Sequence, residues 1–169
     1  MACYPQILGD GKRVFPLKFA QPQRFMIVAS AAEANHALTA FDAALLNAGL
    51  GNVNLVRLSS ILPPGCREEE NGIDFPPGSF VPTAYGTFSS EVKGEHIAAA
   101  VGIGFTAGSF GVIMEHAGYC SAGAARNKVE AMIEEAFLNR GLILNGLKIR
   151  TVEHKVEKAG AVLAVVALW

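Results

Sequence analysis

The chain has 169 residues, a net charge of −1 and 17% charged residues, which favours one domain that binds neither nucleic acid nor an anionic membrane surface. Hydrophobic residues make up 51%, and this excess predicts apolar surface that is buried again between subunits. The scattered Cys3, Cys66 and Cys120 predict free thiols. With neither a signal-peptide pattern nor an apolar run long enough to span a bilayer, a cytoplasmic protein is expected.

The first third of the chain predicts an irregular arm, a strand and a helix. Residues 1–24 are interrupted by prolines and glycines and predict an irregular N-terminal arm. Residues 25–30 predict a short buried strand. Residues 35–48 predict a helix that Gly49 ends, and its apolar stripe contains Leu38, Phe41, Leu45 and Ala48.

Residues 52–64 read Asn-Val-Asn-Leu-Val-Arg-Leu-Ser-Ser-Ile-Leu-Pro-Pro. Their alternation predicts a buried strand, and Pro63 and Pro64 stop its hydrogen-bond ladder. The pair Ser59-Ser60 is therefore held just before a stiff break, where a hydroxyl could be aimed at a strained peptide bond. Small polar residues also end many ordinary strands, so the pair alone does not decide between the two interpretations.

The rest of the chain predicts strands around one more helix. Residues 65–79 predict a polar loop whose charge run, 67–70, is solvated. Strands are expected over 80–89, 96–105, 111–116, 147–156 and 160–168, and a helix between Ser121 and Gly141. The glycines from 102 to 111 lack the spacing of a dinucleotide loop. This order predicts a single-domain α/β sandwich rather than a parallel Rossmann sheet.

Two acids stand out because long uncharged stretches surround them. Asp42 is the only charged residue between Glu33 and Arg57, and Glu115 is the only one between Glu95 and Arg126. Glu115 follows an apolar strand, where burial would raise its pKa as a general acid requires. Asp42 could instead be a helix-edge residue in water, and Arg57 could be a structural partner of either acid.

The other polar residues give weaker signals. The four histidines, at positions 36, 96, 116 and 154, share no metal-ligand spacing, and no metal site is predicted. No Ser-His-Asp or Cys-His arrangement is favoured. Tyr85 alone would be interpreted as a strand aromatic whose hydroxyl is hydrogen-bonded.

Several blocks in the same order resemble the pyruvoyl-dependent arginine decarboxylase family. They are residues 41–49 with Phe41-Asp42, the segment 52–64, Val81-Pro82-Thr83-Ala84-Tyr85-Gly86, Ile113-Met114-Glu115, and the C-terminal residues 152–158 and 167–169. The resemblance covers residues 25–169 and leaves out the arm. It implies a layered α/β/β/α sandwich with mostly antiparallel sheets, a trimer of cleaved protomers or a multiple of it, and active sites between subunits.

The resemblance also implies roles for particular residues. Cleavage falls between Ser59 and Ser60, giving a β chain of residues 1–59 and an α chain of residues 60–169 whose Ser60 becomes a covalent pyruvoyl group. Asn54 resembles the residue that assists self-processing and Glu115 the catalytic acid. Asp42 resembles the residue that binds the substrate guanidinium.

The implied reaction converts L-arginine to agmatine and carbon dioxide, with roles in polyamine synthesis or acid resistance. The Ser60 hydroxyl attacks the Ser59 carbonyl, and an amide such as that of Asn54 can stabilise the oxyanion. β-Elimination and hydrolysis then leave the pyruvoyl ketone, which forms a Schiff base with the substrate amine and accepts electrons on decarboxylation. Glu115 can return a proton to the substrate carbon, and Asp42 can hold the guanidinium bidentately.

Two other functions stay open from the sequence. Self-cleavage could expose Ser60 as the N-terminal nucleophile of a hydrolase, in which case the new N-terminus would be a readable serine and not a blocked pyruvoyl group. The chain could also be a non-catalytic oligomeric module that keeps the fold and never cleaves, although the intact Ser59-Ser60 pair and both isolated acids argue against this.

Overall fold

The computed structural model describes residues 21–169 and the backbone of residues 6–7 and 13–14. Most of the predicted irregular arm, and Cys3 with it, lies outside the described residues. The elements follow in chain order: β1 (Gln6–Ile7), β2 (Arg13–Val14), β3 (Arg24–Ala34), α1 (Ala37–Asn47), β4 (Asn54–Arg57), β5 (Ile61–Leu62), β6 (Arg67–Glu68), β7 (Phe80–Ser90), β8 (His96–Phe105), β9 (Gly111–Gly118), α2 (Ala122–Asn139), β10 (Gly146–Lys155) and β11 (Ala159–Leu168). In the part of the chain that is described, neither helix has the length and hydropathy needed to cross a bilayer.

Two sheets and two helices form four layers. One sheet has the strand order β4-β7-β11-β3-β6, and the other has the order β10-β8-β9-β5. Helix α1 packs on the outer face of the five-stranded sheet, and α2 packs on the outer face of the four-stranded sheet. All pairings within these two sheets are antiparallel except β4 with β7 and β3 with β6. The predicted α/β/β/α sandwich with mostly antiparallel sheets is confirmed.

The gap between the sheets is filled by aliphatic side chains from both. The members of this inter-sheet core include Ile27, Val101, Ile103, Ile113, Val162 and Val166. Every residue of β11 is buried, because the strand lies in the middle of its sheet with α1 on one face and the second sheet on the other. Much of the apolar composition is therefore buried inside the protomer, and the burial between subunits that the composition predicted stays a prediction.

Helix α1 uses small residues to pack against its sheet. Its buried side chains are Ala40 and Ala44, and Ser30 Oγ donates a hydrogen bond to the Ala44 carbonyl oxygen at 2.7 Å. The predicted stripe is wrong at Leu38, whose side chain is 77% exposed. The face that carries Ala40 and Ala44 packs on the strands, and Leu38, two residues before Ala40, lies about half a helical turn away from that face.

Three other local predictions need correction. Strand β3 has eleven residues, from Arg24 to Ala34, and is longer than the predicted 25–30. Strand β4 is a largely exposed edge strand, whereas a buried strand was predicted. The charge run at 67–70 is not simply solvated. Glu68 pairs with Lys148, and Glu69 Oε1 lies 3.9 Å from Arg24 Nη1.

Helix α2 begins and ends where its sequence predicts. The Ser121 side chain accepts a hydrogen bond from the Ala124 N–H at 3.2 Å, which satisfies one donor of the first turn. After Asn139 the chain turns at Gly141, whose φ of 62° suits a residue without a Cβ. The helix thus covers the outer face of β8 and β9 over its full length.

Candidate active site

The Ser59–Ser60 peptide is where the chain passes from one sheet to the other. Strand β4 belongs to the five-stranded sheet, and the Leu58 N–H still donates to the Thr83 carbonyl of β7 at 2.8 Å. Two residues later, the Ser60 carbonyl accepts a hydrogen bond from the Ile113 N–H of β9 at 2.9 Å. The peptide is therefore held from both sides within a very short length of chain.

Ser60 has a strained backbone. Its φ is 90°, and among the described residues it is the only one other than glycine with a positive φ. Such a conformation costs a side-chain-bearing residue about 1–3 kcal/mol and persists only where the surroundings impose it. The hydrogen bonds on both sides of the Ser59–Ser60 peptide supply that restraint.

Glu115 faces the gap between the two sheets, close to Ser60. It lies on the same face of β9 as Ile113, which belongs to the inter-sheet core. Gly86 of β7 lies against it, since a Cβ built there would be 3.4 Å from the Glu115 Cβ. The Glu115 side chain is 18% exposed. Burial raises its pKa, and the opposing effects of Arg57 and of a hydrogen bond from the Ser60 hydroxyl do not cancel the rise, so the predicted direction is confirmed.

Arg57 joins this cluster from the end of β4. Its Nη2 lies 3.2 Å from Glu115 Oε1, and its guanidinium carbon lies 4.6 Å from the centre of the Tyr85 ring. Because β4 ends opposite Thr83, Arg57 can reach across the uncovered edge of β7 to the second sheet. The sequence offered Arg57 only as a possible partner of either acid, and it gave no sign of the contact with Tyr85.

Asn54 lies outside this cluster within the protomer. It begins β4, opposite Phe80, while the cluster lies beyond the other end of that strand. Its Nδ2 donates to the Gly78 carbonyl oxygen at 2.9 Å, and its N–H donates to the Ser79 carbonyl oxygen at 2.8 Å. Asn54 therefore anchors the start of the strand that carries the Ser59–Ser60 bond.

Asp42 is also separate from Glu115 in the protomer. It lies on the exposed side of α1, which packs on the face of the five-stranded sheet that is turned away from the inter-sheet gap. Within the described part of the chain, its carboxylate has no hydrogen bond or ion pair. Leu38 and Leu46, one turn before and after it, are 77% and 54% exposed.

Two histidines of the described region pair with glutamates. His154 Nε2 lies 2.6 Å from Glu33 Oε1, and His96 Nδ1 lies 3.2 Å from Glu153 Oε1. Residues 21–169 contain no group of three or more His, Cys, Asp or Glu side chains arranged to hold a metal ion. The polar side chains that the structure brings together around Ser60 are those of Glu115, Arg57 and Tyr85.

The similarity of this chain to known proteins extends over the whole sandwich. The model of a family described as pyruvoyl-dependent arginine decarboxylase matches residues 24–169. A protein of that description from Methanocaldococcus jannaschii is 44% identical over 153 residues, which are 89% of this chain and 92% of that protein. Those from Thermococcus kodakarensis and Pyrococcus furiosus are 39% and 41% identical, over 90% of this chain and 99% of each relative. The matched range includes every residue of the site described above.

Proposed function

This chain belongs to the pyruvoyl-dependent arginine decarboxylase family, and from that premise we propose that it cuts its own Ser59–Ser60 bond and decarboxylates L-arginine to agmatine at the pyruvoyl group that Ser60 becomes. The observation that carries the proposal is the strained Ser60, with its φ of 90°, placed at the crossover between two sheets beside Glu115. Strain at a single non-glycine residue is typical of functional sites.

The cut begins with the Ser60 hydroxyl. Its oxygen attacks the Ser59 carbonyl carbon, and the acyl group moves from the Ser60 nitrogen to the Ser60 oxygen, which breaks the peptide bond and forms an ester. Loss of the Ser60 α-proton then expels Ser59 as a free carboxylate and leaves a dehydroalanine. Water replaces its nitrogen, ammonia leaves, and a ketone remains at residue 60. Breaking the held peptide also removes the restraint that imposes the strained φ.

The residues around Ser60 fit a pyruvoyl group. The Ile113 N–H already holds the residue-60 carbonyl oxygen at 2.9 Å, which would keep the group fixed after cleavage. The group itself supplies a ketone that takes up the substrate amine and accepts the electron pair left by carbon dioxide. Glu115, whose raised pKa favours the protonated acid, would give a proton to the substrate carbon that has lost carbon dioxide.

Asn54 and Asp42 complete the proposed roles. Asn54 would assist self-processing by fixing the start of β4, which leads into the Ser59–Ser60 bond. Asp42 would bind the substrate guanidinium, because a carboxylate can accept two parallel hydrogen bonds from it. Since Asp42 and Glu115 lie on opposite sides of the five-stranded sheet, we propose that the Asp42 of one protomer serves the Glu115 of a neighbour.

That arrangement requires a homo-oligomer, which we propose to be a trimer of cleaved protomers or a multiple of it. The exposed Leu38 and Leu46 beside Asp42 support a contact at this face of α1. A cytoplasmic location fits the free thiols of Cys66 and Cys120.

Intact mass spectrometry of the purified protein tests the proposed cleavage. We expect two chains, residues 1–59 and 60–169, with the second lighter by one ammonia than a chain that begins with serine. Ser60→Ala removes the attacking hydroxyl and should leave one full-length chain. Ser59→Ala is the matched control, because it keeps that hydroxyl and should still give two chains. Cleavage of Ser60→Ala would exclude this mechanism, and a readable N-terminal Ser60 would indicate a hydrolase.

A further inference from the structure

Arg57 occupies a position that self-cleavage would change. In the intact chain its guanidinium pairs with Glu115 at 3.2 Å, while more than half of its side chain, 57%, remains exposed. It is therefore held by one charged partner and by the face of the Tyr85 ring, and it is free to move towards another partner nearby.

Cleavage would create such a partner two residues away. The cut turns the Ser59 carbonyl into a carboxylate at the new C-terminus, on the same β chain that carries Arg57. That carbonyl carbon is bonded to the Ser60 nitrogen in the intact chain, and the Ser60 hydroxyl already interacts with Glu115. The new charge therefore appears beside the existing ion pair.

We infer that Arg57 is a positioning residue that couples the two reactions, pairing with Glu115 before the cut and with the Ser59 carboxylate after it. The inference rests on the proposed cleavage between Ser59 and Ser60. Before the cut, one guanidinium balances one carboxylate. After it, two carboxylates share the same guanidinium, and like charges at such a distance disfavour ionisation of both.

Burial decides which of the two carboxyl groups takes up the proton. Glu115 faces the inter-sheet gap with 18% of its side chain exposed, so its charged form is the more costly one. The Ser59 carboxylate would end a cut chain at the edge of the sandwich and could move into water. Cleavage would thus remove the arginine partner of Glu115, raise its pKa further and favour its protonated form.

Few other titratable groups face this pair. Tyr85 of β7 lies under the guanidinium, and Gly86 of β7, which lies against Glu115, has no side chain. On the other side, β8 presents Val101 opposite Glu115. Among the charged groups of the described residues, Arg57 is the one that acts on the pKa of Glu115, which it lowers.

The test measures the pKa of Glu115 by carbon-13 NMR of glutamate-labelled protein, with Glu115→Gln used for assignment. The uncut state is the Ser60→Ala variant and the cut state is the processed parent, so neither contains the Ser60 hydroxyl. The same pair is prepared with Arg57→Gln. We expect cleavage to raise the pKa of Glu115 in both series. The rise should be larger in the series that contains Arg57, because only there is a cation withdrawn from Glu115.

Equal rises with and without Arg57 would overturn the inference. Arg24→Gln is the matched control, since Arg24 pairs with Glu69 at the opposite edge of the same sheet and its loss should leave the extra rise intact. If Arg57→Gln does not fold or process, the crystal structure of the cut parent decides. Arg57 bonded to the Ser59 carboxylate supports the inference, and Arg57 still paired with Glu115 alone refutes it. An uncut parent in the mass spectrum would instead refute the proposed function, and the inference with it.

Discussion

Glu115 lies in the gap between the two sheets, and this placement determines which protonation state it prefers. Burial raises its pKa, while Arg57 and the Ser60 hydroxyl lower it, and the net shift is upward. A raised pKa means that the protonated form persists to higher pH than for an ordinary glutamate. A group that must donate a proton near neutral pH benefits directly from this shift.

We predict that Glu115→Gln still cuts itself but decarboxylates arginine slowly. Glutamine keeps the size of the side chain and cannot act as an acid, and loss of a general acid costs about 10²–10⁴-fold in rate. Steady-state kcat measured against pH on fully cut protein checks this. The parent should lose activity as pH rises through the pKa of Glu115, and the variant should lack that limb. Near-normal turnover of the cut variant would assign the proton transfer to another group.

The residues of the site differed in how far the sequence could locate them. Asp42 and Glu115 could be singled out as candidates because uncharged stretches isolate them, and the Ser59-Ser60 pair because two prolines follow it. Arg57 and Tyr85 could not be paired, since their contact depends on how β4 aligns with β7. That alignment is set by tertiary packing and cannot be predicted from the spacing of residues within either strand.

At the scale of elements, strands were predicted well where their whole sequence is apolar or alternating. The predicted strand over 96–105 coincides with β8 (His96–Phe105), because glycines and polar turns bound it. Strand β4 was expected to be buried, yet it lies at a sheet edge, and nothing in an alternating pattern distinguishes an edge from a centre. The edge position is what allows the chain to leave β4 and enter the second sheet at Ser60.

Another element-scale feature is the turn between β10 and β11, which a carboxylate from β3 holds in place. Glu33 Oε1 accepts from the Glu157 N–H at 2.9 Å, and Oε2 accepts from the Lys158 and Ala159 N–H groups at 3.1 Å. Burial raises the pKa of Glu33, but these bonds and the contact with His154 outweigh it, so the net pKa is lowered. A lowered pKa in the folded state stabilises the fold above the unfolded-state pKa, and the stabilisation disappears as pH falls through the folded-state pKa.

We predict that Glu33→Gln destabilises the fold by about 1–3 kcal/mol at neutral pH, because hydrogen bonds to a charged acceptor are replaced by weaker or unmatched ones. Thermal unfolding in the uncut Ser60→Ala background measures the loss without interference from cleavage. The gap in stability between parent and variant should shrink as pH falls below the usual glutamate range. Glu134→Gln, on an exposed position of α2, is the control and should have little effect. A gap that stays constant with pH would show that the Glu33 charge does not matter.

At the scale of the whole molecule, the two acids that we propose for the reaction lie on opposite sides of one sheet. Glu115 faces the inter-sheet gap, and Asp42 lies on the outer side of α1 beside the exposed Leu38 and Leu46. We propose that a substrate held at residue 60 of one protomer meets the Asp42 of a neighbour. The apolar composition predicted subunit contacts, but it gave no sign of the site shared between neighbours that we propose.

We predict that mixing two inactive variants restores activity. Asp42→Asn keeps its shape but loses the charge that holds the guanidinium, and should lower kcat/KM for arginine by about 30- to 1000-fold while leaving self-cleavage intact. Glu115→Gln lacks the acid. If each site takes Asp42 from one protomer and Glu115 from the next, random co-assembly gives about one quarter of the sites both native residues. Co-expressed chains with separate affinity tags, purified through both tags, should therefore regain arginine decarboxylation far above either variant alone.

If both acids came from the same protomer, every site in the hybrid would carry one defect and no recovery would be seen. A matched hybrid of Asp42→Asn with the double variant Asp42→Asn/Glu115→Gln should stay inactive in either case, because it contains no Asp42.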